Sequence, residues 1–211
     1  NSSKKLSKDF VLIEKAYFES QPQHSLSIGS YSDYGFYKKL HNTSKKLVEV
    51  LDIRQAIKTG NDKVHITDIC VAENYKPILR GKDIQKYVTK DPHLYVNYGK
   101  HLACPRSASI FEQPKILIRE AGSKITATYD ENNYYIMSSL YNAILIDNDY
   151  SLKYLLALIN STLFQYLMYK LTFEKTEGAF TKAKIFHYYE LPVKIQTRSE
   201  QQPIIILVDR I

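Results

Sequence analysis

The stretch Lys115-Ile116-Leu117-Ile118-Arg119-Glu120, with Lys124-Ile125-Thr126-Ala127-Thr128-Tyr129, Tyr134-Tyr135-Ile136-Met137-Ser138 and Asn142-Ala143-Ile144-Leu145-Ile146 after it, decides the fold class. Each run is short, rich in β-branched and aromatic residues, and bounded by Gly, Asn or Asp, so each reads as a strand. Between the second and third lies Asp130-Glu131-Asn132-Asn133, a turn-forming tetrapeptide that most simply closes an antiparallel hairpin. The same texture extends over residues 52–147.

Helical spacing flanks this β-rich region on both sides. Phe36, Leu40, Leu47, Val48 and Leu51 recur at roughly helical intervals with Lys38, Lys39, Lys45 and Lys46 on the other side, predicting one helix or two short ones over 36–51. Leu152, Leu155, Leu156, Ile159, Leu163, Tyr166 and Leu167 predict a helix within 152–171, with Asp149 or Ser151 as its cap. The expected architecture is α+β: a twisted mixed or antiparallel sheet with flanking helices.

Ser-rich patches around Gly29 make residues 1–35 a linker, and the domain is expected over 36–195. Glu177-Gly178-Ala179 marks a break, and Leu191-Pro192-Val193 ends the compact region, because proline stops helices and central strands alike. Residues 196–211 read as the truncated start of a further helix, opening at Pro203.

Lys and Arg total 29 against 22 acidic residues, a net charge of +7, which favours a polyanionic partner over a neutral small molecule. Cys70 and Cys104 make no disulfide framework, which predicts a reducing, cytoplasmic setting. The polar start, Asn1–Asp9, reads as neither a signal peptide nor a transmembrane start. The most apolar stretch, Leu152–Leu171, is interrupted by Lys153, Asn160, Ser161, Thr162, Gln165 and Lys170, so no membrane span is expected.

Several catalytic frames fail to appear. None of the 22 acidic residues has a lysine two positions on, the spacing used by the commonest restriction nucleases to hold a metal beside the attacking water. Asp91-Pro92-His93-Leu94 lacks the second proline and the aromatic of an amino-methyltransferase loop. His101 and Cys104 have HxxC spacing, but His93, Cys70 and His65 supply no second pair, so no zinc site is expected. No GxSxG elbow occurs. The chain is therefore expected to bind rather than catalyse, and to need no cofactor or metal of its own.

The cations gather near glycines. Lys58, Thr59, Asn61 and Lys63 surround a Gly60-Asn61 turn, where close backbone amides suit a phosphate and an Asn side chain suits adenine; a plain hairpin turn is the alternative. Arg80, Lys82 and Lys86 surround Gly81, although Asp83 can cap a helix starting at Ile84 and pair with Arg80. Arg119 precedes Gly122 and Lys124, where its fork can chelate guanine or pair with Glu120. Arg106, Lys182 and Lys184 add exposed charge.

In this order the strings resemble the TaqI-like C-terminal specificity domain of type IIG restriction–modification enzymes and adenine-specific DNA methyltransferases. Residues 36–66 are similar to that family's helix and its "I..GIxTGxN" turn, with Ala56 in place of a glycine and His65 in place of an aromatic. Lys76–Tyr87 resembles "P.LRGKDI..Y", Gln113–Ala121 "PKILIRE.G", Leu152–Leu163 "LKYLLALLNS", and Tyr189–Val193 the closing "LP.P" turn, with Lys194 departing from it. The resemblance implies a target recognition domain holding double-stranded DNA against separate methyltransferase and nuclease domains, which would use S-adenosylmethionine and Mg²⁺. Asn61 and Arg119 would read bases, and Lys58, Lys82, Lys86 and Lys124 would contact phosphates. The alternative is a protein-interaction or structural subunit that binds another polypeptide through its 18 tyrosines.

Overall fold

The computed structural model describes residues 39–171 and 183–211, together with Lys15, Gly35 and Phe36. The rest of the 1–35 linker, Glu177-Gly178-Ala179 and Lys182 lie outside the described residues. In chain order the elements are β1 (Ser44–Lys46), β2 (Leu51–Gln55), α1 (Asp62–His65), β3 (Ile66–Thr67), β4 (Tyr75–Leu79), β5 (Ile84–Gln85), β6 (Val88–Thr89) and β7 (Tyr95–Asn97). They continue with β8 (Lys115–Arg119), β9 (Ala127–Asp130), β10 (Tyr135–Ile136), β11 (Leu140–Leu145), α2 (Leu152–Asn160), α3 (Thr162–Leu171), α4 (Ile185–Tyr189), β12 (Pro192–Lys194) and α5 (Arg198–Val208).

The class is α+β, with two four-stranded sheets in place of one. The first runs β2-β11-β8-β9 and is antiparallel throughout; the second runs β10-β4-β7-β3, with β10 parallel to β4. The first sheet is covered on both faces. Ile116, Ile118, Tyr141 and Ala143 join Leu155, Ile159 and Leu167 in one core, while Leu117 and Leu140 join Ile78, Val96 and Ile136 in the other. This explains why β8 is apolar at consecutive positions instead of alternating, since a strand covered on both faces buries every side chain. Each fully buried aliphatic chain contributes about 1.5–3 kcal/mol.

Helical spacing over 36–51 holds only at its start, where Phe36 and residues 39–41 are helical. After a helical turn at 39–41 the chain becomes β1, which pairs with β12 in register Lys46↔Pro192, and a 3-10 turn at Leu47–Glu49 leads into β2. Leu47 N–H reaches Leu191 O at 2.9 Å, so a long-range pairing replaces the local helix and buries Leu47, Val50 and Leu51. Pro192 opens this paired strand, where its missing N–H is tolerated.

The expected 130–133 hairpin is also corrected. β9 and β10 belong to different sheets: Asp130 accepts Asn132 N–H at 3.0 Å and Tyr134 N–H at 3.2 Å, Asn133 takes φ 60°, and the chain crosses to pair with β4. Asp130 is buried and ion-paired with buried Lys115, whose Nζ also donates to Phe111 O.

The 152–171 helix is two. Ser151 caps α2, its Oγ accepting Lys153 N–H at 3.3 Å; at Ser161 the backbone turns extended and its Oγ caps α3 through Phe164 N–H at 3.1 Å. The last helix opens before its proline. Thr197 and Glu200 form a capping box, and Pro203 sits inside α5. Buried Gln201 ties α5 to the start of α2 through Ser151 N–H at 2.9 Å and Asp149 O at 2.8 Å. Among the described residues no helix is long and apolar enough to cross a membrane.

Candidate nucleic-acid interface

Strand register brings the glycine-associated loops to one end. Arg119, ending β8, lies opposite Leu140, and Gln55, ending β2, lies opposite Tyr141 on the same β11. In the second sheet Leu79, ending β4, lies beside Ile136, and Ile57 bridges Met137 in parallel. The segments that follow β2, β4, β8 and β10 therefore emerge together. Their backbones interlock: Ser138 N–H reaches Ile57 O and Glu120 N–H reaches Ser139 O.

The 57–63 loop is a tight bend held from inside. Gly60 takes φ +84° and an added Cβ would lie 3.2 Å from Ala103 Cβ, so the left-handed turn and the close approach both call for glycine. Lys58 N–H and O pair with Cys104, fixing the bend against 103–104. Thr59 is buried with its hydroxyl on Asp62 Oδ1 at 2.5 Å, so it faces the loop interior and not the outer surface expected of it. Asn61 is exposed but caps α1, its Oδ1 accepting Lys63 N–H at 3.2 Å.

Asp62 joins that loop to the next. Its Oδ2 lies 3.3 Å from an Nη of Arg80, and Arg80 N–H is held by Asp83 Oδ2 at 2.8 Å. Asp83 thus caps a 3-10 turn at Gly81–Asp83, not a helix from Ile84, and the ion pair of Arg80 runs to Asp62. An added Cβ on buried Gly81 would lie 3.1 Å from Ser139 O.

Arg119 occupies a different place from the one its sequence context suggests. Its Nε donates to Gly81 O at 2.7 Å and an Nη donates to Ile84 O, so the fork closes on backbone carbonyls of the 80–85 loop. Glu120 is no ion-pair partner for it; its carboxylate accepts the Tyr141 hydroxyl, which burial and this carboxylate push up to about 12. Lys86 Nζ likewise donates to Asn160 O at 2.7 Å. Arg106, in a left-handed backbone, donates to Ala56 O at 3.2 Å and Gln55 Oε1 at 3.3 Å.

What remains outward is a set of ammonium groups. Lys58, Lys63, Lys82 and Lys124 are exposed, and none has an ion-pair or side-chain hydrogen-bond partner among the described residues. Arg80, Gly81, Lys82, Arg119, Glu120 and Ser139 line one open hollow. Arg119 and Glu120 also line a second with Lys124, Gln165, Tyr169 and Ala183. Lys184 follows, exposed, its Nζ 5.9 Å from the Phe186 ring. The 57–63 loop thus meets the 80–87 loop at Asp62–Arg80, and the 80–87 loop meets the end of β8 at Arg119.

Asp62, Ser139, Asn160 and Gln165 were not singled out from the sequence. For Asp62 the local signal is Thr59 three positions earlier, a hydroxyl within reach of its carboxylate. For the others no local signal exists. His101 and His65 stand ring to ring at 5.0 Å, with His101 Nε2 2.9 Å from Asn97 O; among the described residues no group of three or more His, Cys, Asp or Glu is placed to hold a metal ion.

At one end of this layered frame the 57–63, 80–87 and 119–124 loops carry exposed Lys58, Lys63, Lys82 and Lys124. The family described as TaqI-like C-terminal specificity domain matches residues 76–193, and the chain belongs to that family. No curated protein matches the chain. Among solved structures, the HsdS subunit from Thermoanaerobacter tengcongensis is similar at a TM-score of 0.53 and 14% identity, over 85% of this chain and 42% of that one. A chain from a study of complex assembly and conformational transition of the type I R-M system gives 0.53 and 13%, over 85% and 43%. The type IIG restriction endonuclease BpuSI gives 0.59 and 11%, over 85% of this chain and 28% of that one. The chain spans less than half the length of each, and at these identities the likeness is one of fold.

Proposed function

We propose that this chain is the sequence-specific double-stranded DNA recognition domain of a restriction–modification enzyme, type IIG-like in arrangement. It would hold a duplex against a separate adenine methyltransferase and a nuclease. The observation that carries this reading is the convergence of Lys58, Lys63, Lys82 and Lys124, all exposed, on loops tied together by Asp62 and Arg119. Lysines without internal partners can replace phosphate counterions at little desolvation cost, and a rigid loop set holds them in one register.

Catalysis is assigned to the neighbouring domains. Mg²⁺ and S-adenosylmethionine would be held by those domains.

Selection from a pool of random duplexes by the whole protein tests the reading. A recurrent enriched site, bound with an affinity that falls steeply as salt rises, is the expected result. No enriched site, or binding that ignores salt, would reject it in favour of a protein-contact role.

A further inference from the structure

The cations of the loop end fall into two chemical kinds. Lys58, Lys63, Lys82 and Lys124 are flexible point charges without side-chain partners among the described residues, suited to phosphates. The guanidiniums of Arg106 and Arg119 are closed on Gln55, Ala56, Gly81 and Ile84. Arg80 differs from both groups. It is planar, partly exposed, and held through one Nη by a carboxylate from another loop.

That carboxylate is itself held. Buried Thr59 donates its hydroxyl to Asp62 Oδ1 at 2.5 Å while Asp62 Oδ2 faces Arg80 at 3.3 Å. The backbone of Arg80 is fixed too: Leu79 is paired in the sheet, and Arg80 N–H is bound by Asp83 at 2.8 Å. A guanidinium has five N–H donors, and contact through one terminal nitrogen leaves a pair of parallel donors for a second ligand. Ordering a free arginine on binding costs rotamer entropy; one already held by a carboxylate loses less.

We propose that Arg80 is the guanine-reading residue of this domain, donating two parallel hydrogen bonds to O6 and N7 in the major groove, with Asp62 and Thr59 as the positioning residues that aim it. The inference rests on the DNA-binding reading above and names one specificity-determining contact within it. It moves the arginine–guanine role from Arg119, whose fork is closed, to a side chain at the start of the segment that Arg119 clasps.

The test is duplex selection by the whole protein as wild type and as Arg80→Lys, Arg80→Gln and Asp62→Asn. Wild type is expected to enrich a site with at least one invariant guanine. Arg80→Lys keeps the charge and loses the fork, so preference for guanine at one position should fall by roughly tenfold or more. The other positions and the salt slope should stay as in wild type. Asp62→Asn should weaken that same position by less, and Arg80→Gln should remove its preference. Arg80→Lys, the least disruptive change, decides the matter if Arg80→Gln lowers the melting temperature. Unchanged base preferences in a folded Arg80→Lys protein would overturn the inference alone, and so would a uniform loss across all sequences. Failure of wild type to enrich any site would instead reject the DNA reading itself.

Discussion

Asn160, the last residue of α2, holds Ala127 on β9 by both ends of its side-chain amide: Oδ1 accepts Ala127 N–H at 3.0 Å and Nδ2 donates to Ala127 O at 2.9 Å. β9 is the outer strand of the first sheet, so these backbone groups have no neighbouring strand to pair with. Gln165 does the same for Ile125 N–H at 2.7 Å, and Tyr87 N–H shares Ala127 O at 3.0 Å. A helix end thereby replaces the missing strand. It also fixes the strand into which the Lys124 loop runs.

Asn160→Ala should therefore destabilise the fold well beyond the loss of one surface amide. Ala127 is fully buried, and its N–H would be left without a partner. A buried unpaired group costs about 1–3 kcal/mol, and the second lost bond adds to it, so a loss of about 2–4 kcal/mol is expected. Urea unfolding at neutral pH measures it. A change below about 0.5 kcal/mol would mean that the β9 edge is satisfied by other groups.

Arg119 should behave as a clasp. In Arg119→Ala the carbonyls of Gly81 and Ile84 lose their donor, and the 80–85 segment is released from β8. Hydrogen exchange at the backbone amides of 81–85 should accelerate while those of β11 stay protected, since local opening requires no unfolding of the sheet. Equal acceleration in both would show that Arg119 supports the whole fold instead.

Local chemistry was legible in this sequence where a residue acts within a few positions of itself. Asp149 or Ser151 reads as a cap, and Ser151 is one; the run 115–120 reads as a strand, and 115–119 is one. What was hidden depends on partners far along the chain. β1 is set by β12, and no spacing around Leu47 announces that. Arg119 looks like an outward cation beside a glycine turn, yet the carbonyls it meets lie 38 and 35 positions away. Asn160 read only as a polar interruption in a helix, because the strand edge it completes is 33 positions earlier. No local spacing announces how the cations of these loops divide between clasps on backbone carbonyls and outward lysines.

Buried tyrosines should make the protein sensitive to alkali. Tyr141 is pushed up to about 12 by burial and then Glu120, and Tyr154 to about 12 by burial and then Tyr150; burial also raises Tyr135 and Tyr188. Their folded pKa values lie above the unfolded value of about 10, so their contribution is complete below pH about 10 and is lost as pH rises towards 12. Lys115, lowered by desolvation, acts with the opposite sign, but it is one group against several. Urea midpoints should fall between about pH 9 and pH 11, by up to roughly 1 kcal/mol per tyrosine over the unit above 10. Tyr154→Phe should make that fall shallower; an unchanged midpoint across the range would contradict the burial of these hydroxyls.

Exposed lysines at the loop end should be separable from clasped ones by salt. Each phosphate contact contributes about 0.9 to the slope of log affinity against log salt, because it releases condensed counterion. Lys82→Ala and Lys124→Ala should each lower the slope by about that amount and weaken all duplex sequences alike, leaving the enriched site unchanged. Lys86 provides the internal control. Its ammonium donates to Asn160 O at 2.7 Å, so Lys86→Ala should alter the slope less than Lys82→Ala while lowering thermal stability more. The comparison is made by titrating one duplex with the whole protein at several salt concentrations. If Lys86→Ala and Lys82→Ala shift the slope equally, the distinction between clasped and free cations has no bearing on DNA contact. If neither shifts it, this end of the sheets is not where a duplex lies.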